Sequence, residues 1–237
     1  MAVRFGLFEV ANSASLTLVY FPALVLLGVL GLRFGYYAAR NRQRTDLRTQ
    51  TPLWTHLLYV GLLAAMYGGL GVLAIVSSVR TSYRNALMLA VVLLLAFAIR
   101  EIHTMGAGPG RTVREEILRG AFVLLVLGHV IAGIVVDRPR LLAGVEGLAA
   151  LGFLAYGAFF FYRQTTNTRL QGTVLDSLVR HLLPLLTFAA LVNVTPIAYA
   201  LGLDRNVVPH VQVVFIIMTA SVLMTATIKL RQNLASL

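Results

Sequence analysis

Seven stretches of this chain stay apolar for about twenty residues or more, and each is separated from the next by a short segment rich in arginine, glycine or proline. A helix of that length crosses a hydrocarbon layer roughly 30 Å thick. Inside the layer every backbone N–H and C=O has to be bonded within the segment, so the pattern predicts membrane helices. The expected fold is all-α: a polytopic membrane protein forming one seven-helix transmembrane domain over residues 1–237. The approximate spans are 13–39, 53–79, 85–103, 117–136, 141–162, 175–201 and 207–230. A composition of 58% apolar and 12% charged residues excludes an ordinary soluble domain. The start does not read as a cleaved signal peptide, because the first span runs into a basic loop rather than a small-residue cleavage site.

The segment Ala96 to Gly120 joins the third and fourth spans. It places five of the chain's 29 charged residues between Arg111 and Arg119, with Arg100, Glu101 and His103 just before them. Three glycines and Pro109 between Thr104 and Gly110 weaken helix continuation, which predicts a polar hinge. Arg114, Glu115, Glu116 and Arg119 read as an amphipathic lead-in to the fourth span, and Arg80 to Arg84 as a short turn. The third span, almost all Leu, Val, Ala and Met, is expected to be surrounded by protein or lipid.

Gly28, Gly31 and Gly35 in the first span, and Gly61, Gly68, Gly69 and Gly71 in the second, recur at spacings that leave smooth helix faces. Such faces allow close helix approach, so packing is the expected role. Pro22 predicts a kink in the first span or an interfacial start. Pro52 and Trp54 suit a first helical turn and a headgroup-level anchor.

An odd number of spans puts the chain ends on opposite sides. If the first span leads inward, fourteen of the twenty Lys and Arg residues fall on the inner side and six on the outer. The positive-inside bias then predicts an outer N-terminus and an inner C-terminus in the cell membrane. The formal charge of +11 is accordingly assigned to anionic lipid headgroups, with no nucleic-acid partner expected. Membrane lipids are the expected surroundings, and a separate cytoplasmic or membrane protein the expected output partner, because every loop is short.

This plan is that of a retinal-binding opsin or a membrane receptor, a likeness of architecture that assigns no family. No covalent retinal is expected: the middle of the seventh span reads Phe215, Ile216, Ile217, Met218, Thr219, and the single lysine, Lys229, lies at its inner end.

Without cysteine, disulfides, thioether haem, iron–sulfur clusters and cysteine nucleophiles are excluded. The five histidines divide by depth. His56, His103 and His181 fall at the inner ends of spans two, three and six, where with Glu101 or Asp176 they could hold zinc or iron. His56, Glu101, His103 and His181 form this candidate metal set, against the alternative of separate interfacial histidines. None has an HxH or HxxxH partner, and Glu101 and His103 point about 200° apart on a regular helix. His129 and His210 form an outer pair. Bis-imidazole haem fits less well, since His56 and His103 would leave a porphyrin poorly buried.

Polar groups within the hydrocarbon mark candidate cavities. On that ground His129, Glu146, Tyr156, Asn193, Tyr199 and Gln212 are the candidate ligand-binding residues, bordering an outer pocket among spans four to seven. The simpler alternative for Glu146 is an ion pair with Arg138 or Arg140. For Asn193 and Thr195 it is local repair of the carbonyl of Val192, which Pro196 cannot bond. Three functions stay open: a receptor, sensor or other subunit binding a small or lipid-like molecule; an intramembrane metal enzyme; and a transporter or haem-containing electron-transfer subunit.

Overall fold

The apolar runs form helices, and the glycines decide how closely the first two approach. The computed structural model describes residues 13–45, 50–77, 84–107, 113–135, 139–165, 174–201 and 207–236. Among them are the long helices α1 (Ala14–Arg44), α2 (Thr51–Val76), α3 (Arg84–Ala107), α4 (Val113–Val135), α5 (Pro139–Thr165) and α6 (Val174–Val194), the single turn α7 (Ile197–Ala200), and α8 (Val207–Ser236). Six of these helices (α1, α2, α3, α5, α6 and α8) are long and apolar enough to cross a membrane over their described residues. The protein is therefore an all-α polytopic membrane protein with six to seven long apolar helices.

Several boundaries differ from the sequence expectation for local reasons. Helix α1 runs through Pro22 without ending, and its first turn is capped by Ser13, whose Oγ accepts from the Leu16 N–H at 3.3 Å. Helix α3 continues through Thr104, Met105 and Gly106 to Ala107, with the Thr104 Oγ1 bonded to the Glu101 carbonyl at 2.9 Å. The expected hinge is thus shortened, and residues 108–112 lie outside the described part. Arg84, read as the end of a turn, is the first residue of α3. Arg114 to Arg119 belong to α4 itself.

Helices α1 and α2 cross in opposite directions, with Gly28 beside Gly68, Gly31 beside Ala65 and Gly35 beside Gly61. A Cβ on Gly61 would stand 2.6 Å from both the Gly31 carbonyl oxygen and the Gly35 Cα, so nothing larger than hydrogen fits there. Each helix thereby lends the other a flat wall, and dispersion contacts between backbones hold the pair.

The other helices form a ring in which α2 packs on α3, α3 on α5, α5 on α6, α6 on α8, and α8 back on α1. Helix α3 also touches α4 and α6. Its apolar window is 78% buried, against 28–50% for the other five membrane-length helices. The contacts fix the sense of each neighbour. Tyr20 meets Gln212, and Asn41 meets both Leu230 and Asn233, so α1 and α8 run parallel. His129 meets Glu146 while Phe122 meets Phe153 and Tyr156, so α4 runs antiparallel to α5.

The glycine contact makes a selective prediction. Gly61→Val should destabilise the bundle by about 1–3 kcal/mol through forced separation of α1 and α2. Gly69→Ala, whose Cβ would meet nothing within 4 Å, should be neutral or slightly stabilising. Unfolding midpoints in mixed detergent micelles check both; equal losses would contradict the close approach.

Candidate functional site

Polar side chains collect at two levels of the bundle, each anchored on one end of α3. Arg84 and Arg100 are sixteen residues apart, about 24 Å along a helix. Buried Leu89, Val92, Leu95 and Ala96 lie between them.

The first level lies where α3, α5 and α8 begin and α4 and α6 end. Glu146 on α5 is only 3% exposed and faces His129 of α4, with Oε2 3.6 Å from the imidazole Nε2. Asn193 of α6 completes this side. In the orientation its neighbours require, its Nδ2 donates to Glu146 Oε1 at 2.7 Å and its Oδ1 accepts from the Leu89 N–H at 3.1 Å. Asn85 lies beside the same carboxylate, and Arg84 sets a positive charge near it. Three neighbouring groups and one nearby cation thus compensate a buried acid that would be costly alone.

Arg84 links this acid to the far wall. Its guanidinium lies 5.0 Å from the Tyr67 ring centroid and 5.9 Å from that of Tyr20. Its Nη2 donates to the Tyr20 hydroxyl at 3.3 Å, and that hydroxyl donates to Gln212 Oε1 at 3.4 Å. The chain ends on α6, where Gln212 Nε2 donates to the Val192 carbonyl at 3.3 Å. This is the acceptor that Pro196, with no N–H, leaves open. Gln212 of α8 therefore makes the repair across the helix boundary, where local repair by Asn193 or Thr195 was expected. Thr195 Oγ1 binds the Leu191 carbonyl at 2.6 Å instead, and Asn193 serves Glu146.

The structure thus brings His129, Glu146 and Asn193 together and connects Gln212 to them through Tyr20 and Arg84. It does not bring Tyr156 there. The side chains of Tyr199 and Arg140, and all of Arg138, lie outside the described residues. Tyr20, Tyr67, Arg84 and Asn85 were not singled out from sequence. Arg84 and Asn85 stand at a span boundary where charge is ordinary, and the tyrosines carry no distinguishing spacing. The one available signal was an arginine adjoining an asparagine at the head of the third span.

The second level holds the other candidates. Glu101 Oε1 lies 3.4 Å from both Arg100 Nη1 and Arg119 Nη1, and Arg100 is fully buried. Arg119 also covers the Phe97 ring at 5.1 Å. Tyr156 sits among Phe97, Phe122 and Phe160, with centroids 6.3, 5.4 and 4.9 Å away. His56 lies against Phe97 at 5.9 Å and His103 against Phe160 at 5.5 Å. The His181 Nδ1 is 2.7 Å from the Ser177 carbonyl of its own helix. Among the described residues no three His, Asp or Glu side chains converge on a metal-sized space. His56, Glu101, His103 and His181 form no such group, and Glu101 Oε1 faces two arginines. His210 is exposed on α8, apart from buried His129. Lys229 lies seven residues before the end of α8.

Beside the first level, the break in α6 opens a groove of about 330 Å³ among α6, α7 and α8. Leu191, Val194, Thr195, Ala198, Val211 and Phe215 line it. Its walls are apolar, and it touches the residues on either side of the Gln212–Val192 bond. Comparison with family models, curated proteins and solved structures finds no match to this chain.

The proline repair predicts a thermodynamic cycle. Gln212→Leu should cost about 1–3 kcal/mol by stranding the Val192 carbonyl in a dry interior. In a Pro196→Ala background the new N–H can bond that carbonyl, so the same substitution should lose most of its effect. Equal losses in both backgrounds, measured by detergent unfolding, would refute the repair.

Proposed function

We propose that the chain is a receptor or sensor subunit with seven membrane spans, and that an uncharged, lipid-like molecule enters the groove at the α6 break from the bilayer. The observation that carries this reading is the coincidence of the groove with the Thr195–Pro196 interruption, whose freed carbonyl is bonded to Gln212 and thence to Tyr20 and Arg84. A molecule in the groove would press on Thr195, Ala198 and Val211. Any shift of α6 against α8 changes the geometry of the Gln212–Val192 bond. That bond is one end of a chain of contacts touching six of the long helices in turn: α6, α8, α1, α3, and through Glu146 α5 and α4. Occupancy at the lipid-facing side is thereby coupled to packing across the bundle, which is what a sensor requires. The volume lies at the small end of ordinary ligand sites, and its walls suit an aliphatic body with at most a hydroxyl near Thr195.

The count of seven spans rests on the parallel course of α1 and α8. The parallel course of α1 and α8 supports an odd number of crossings, with α4, antiparallel to α5, as the seventh. The basic residues near the ends of α1 and α8 then favour an inner C-terminus in the cell membrane. In sealed vesicles, tags at the two termini should be cleaved from opposite faces; cleavage of both from one face would reject this count.

A diazirine-bearing fatty alcohol, used with the full chain in nanodiscs, tests the binding reading. It should label the 191–215 region and be displaced by the unlabelled alcohol. Ala198→Trp, which fills the groove, should cut that labelling roughly tenfold. Even labelling of all lipid-facing helices, without displacement and unchanged by Ala198→Trp, would remove the basis for this function.

A further inference from the structure

At the opposite end of the bundle, α1 and α8 enclose a second groove of about 440 Å³ with a different chemistry. Leu30, Met224 and Ile228 form its apolar wall, and Arg33, Tyr37 and Arg231 its polar edge. Both arginines are exposed. Among the described residues neither has an ion-pair partner, and neither α1 nor α8 contains an Asp or Glu along its whole length. We propose that this groove binds one anionic phospholipid, its phosphate between Arg33 and Arg231 and an acyl chain along the α1–α8 seam.

Depth supports a lipid occupant. Helix α1 has 31 residues, about 46 Å, and outruns a 30 Å hydrocarbon core at its ends. Arg33 lies eleven residues, about 16 Å, before Arg44. It therefore sits below the headgroup plane and its side chain has to reach upward for water or an anion. Arg231, five residues before the end of α8, meets that reach from the neighbouring helix. Two guanidinium groups at the rim of an apolar channel match a phosphate joined to acyl chains, and Tyr37 can add a hydrogen bond.

The seam is also held in advance. Buried Asn41 donates from Nδ2 to the Leu230 carbonyl at 3.0 Å and accepts at Oδ1 from Asn233 Nδ2 at 2.6 Å. Arg44 Nη1 donates to the Leu234 carbonyl at 3.5 Å. These bonds fix α1 against α8 beyond the groove, so binding does not have to order the site first. The concave shape favours a single lipid molecule over the flatter face of a protein partner.

The experiment uses the full chain in nanodiscs and native mass spectrometry, comparing phosphatidylglycerol with phosphatidylcholine. Wild type should retain phosphatidylglycerol preferentially, and the double variant R33Q/R231Q should lose that preference roughly tenfold or more. The variant R40Q/R42Q, with the same charge loss at the same end but outside the groove, should keep it, as should Ala198→Trp, which separates this site from the ligand groove at α6. R33K/R231K, keeping charge without the guanidinium forks, should retain part of the preference. Equal loss in R40Q/R42Q would overturn the proposal in favour of a diffuse basic surface. Competition by inorganic phosphate as effective as by phosphatidylglycerol would reduce it to an anion site. A shift from dimer to monomer in R33Q/R231Q, with no change in lipid preference, would assign the seam to a second copy instead.

Discussion

A layer without water obliges every charge and every interrupted helical turn to find its partner inside the protein, and in this bundle those partners are arranged around α3. That helix contacts α2, α4, α5 and α6, and its two ends carry the two polar levels. At one end Arg84 and Asn85 lie beside Glu146, and Arg84 donates to Tyr20; at the other, Glu101 pairs with both Arg100 and Arg119. The apolar middle of α3 keeps these levels apart. Because an unpaired charge there would cost several kcal/mol, the polar pairs specify which helices lie beside α3 and at what height. Apolar packing alone, between helices and lipid tails of similar polarity, would specify register far less.

The fold was largely legible because its signals are local. Apolar run length locates the helix starts to within four residues, though α1 and α8 run five and six residues past their expected ends and α6 stops seven short, and glycine spacing on the first two spans marks the surface along which α1 and α2 meet. Departures occur at ends. Gly106 did not stop α3, since one glycine costs a helix only about 1 kcal/mol and Thr104 ties the turn to Glu101. Pro196 did stop α6: it has no N–H for the Val192 carbonyl, which Gln212 bonds instead.

The site was legible only by depth. His129, Glu146, Asn193 and Gln212 stand out as polar groups within hydrocarbon, and a structure is needed to learn that three of them meet directly. Tyr156 has the same depth signal on its span yet joins the aromatic group with Phe97 and Phe160. The histidines at the ends of α2, α3 and α6 illustrate the limit from the other side. Helix order assigns them one level but says nothing about azimuth, and an i, i+2 pair such as Glu101 and His103 diverges around the helix.

Helix α8 connects the two grooves and gives them different chemistry. Near its start, Val211 and Phe215 border a groove whose only polar wall residue is Thr195, while Gln212, between them in sequence, turns inward to the Val192 carbonyl and Tyr20. Near its end, Arg231 borders a groove rimmed by a second cation, while Leu230, the preceding residue, turns inward and gives its carbonyl to Asn41. Alternation of inward bonding and lipid-facing residues along one helix thus builds an uncharged site and a cationic site about 30 Å apart. Because α1 runs parallel to α8 and is bonded to it at both levels, through Tyr20 and through Asn41, a displacement of α8 at either groove is shared by α1. The tight glycine contact then carries it into α2, where there is no room for the helices to slide independently.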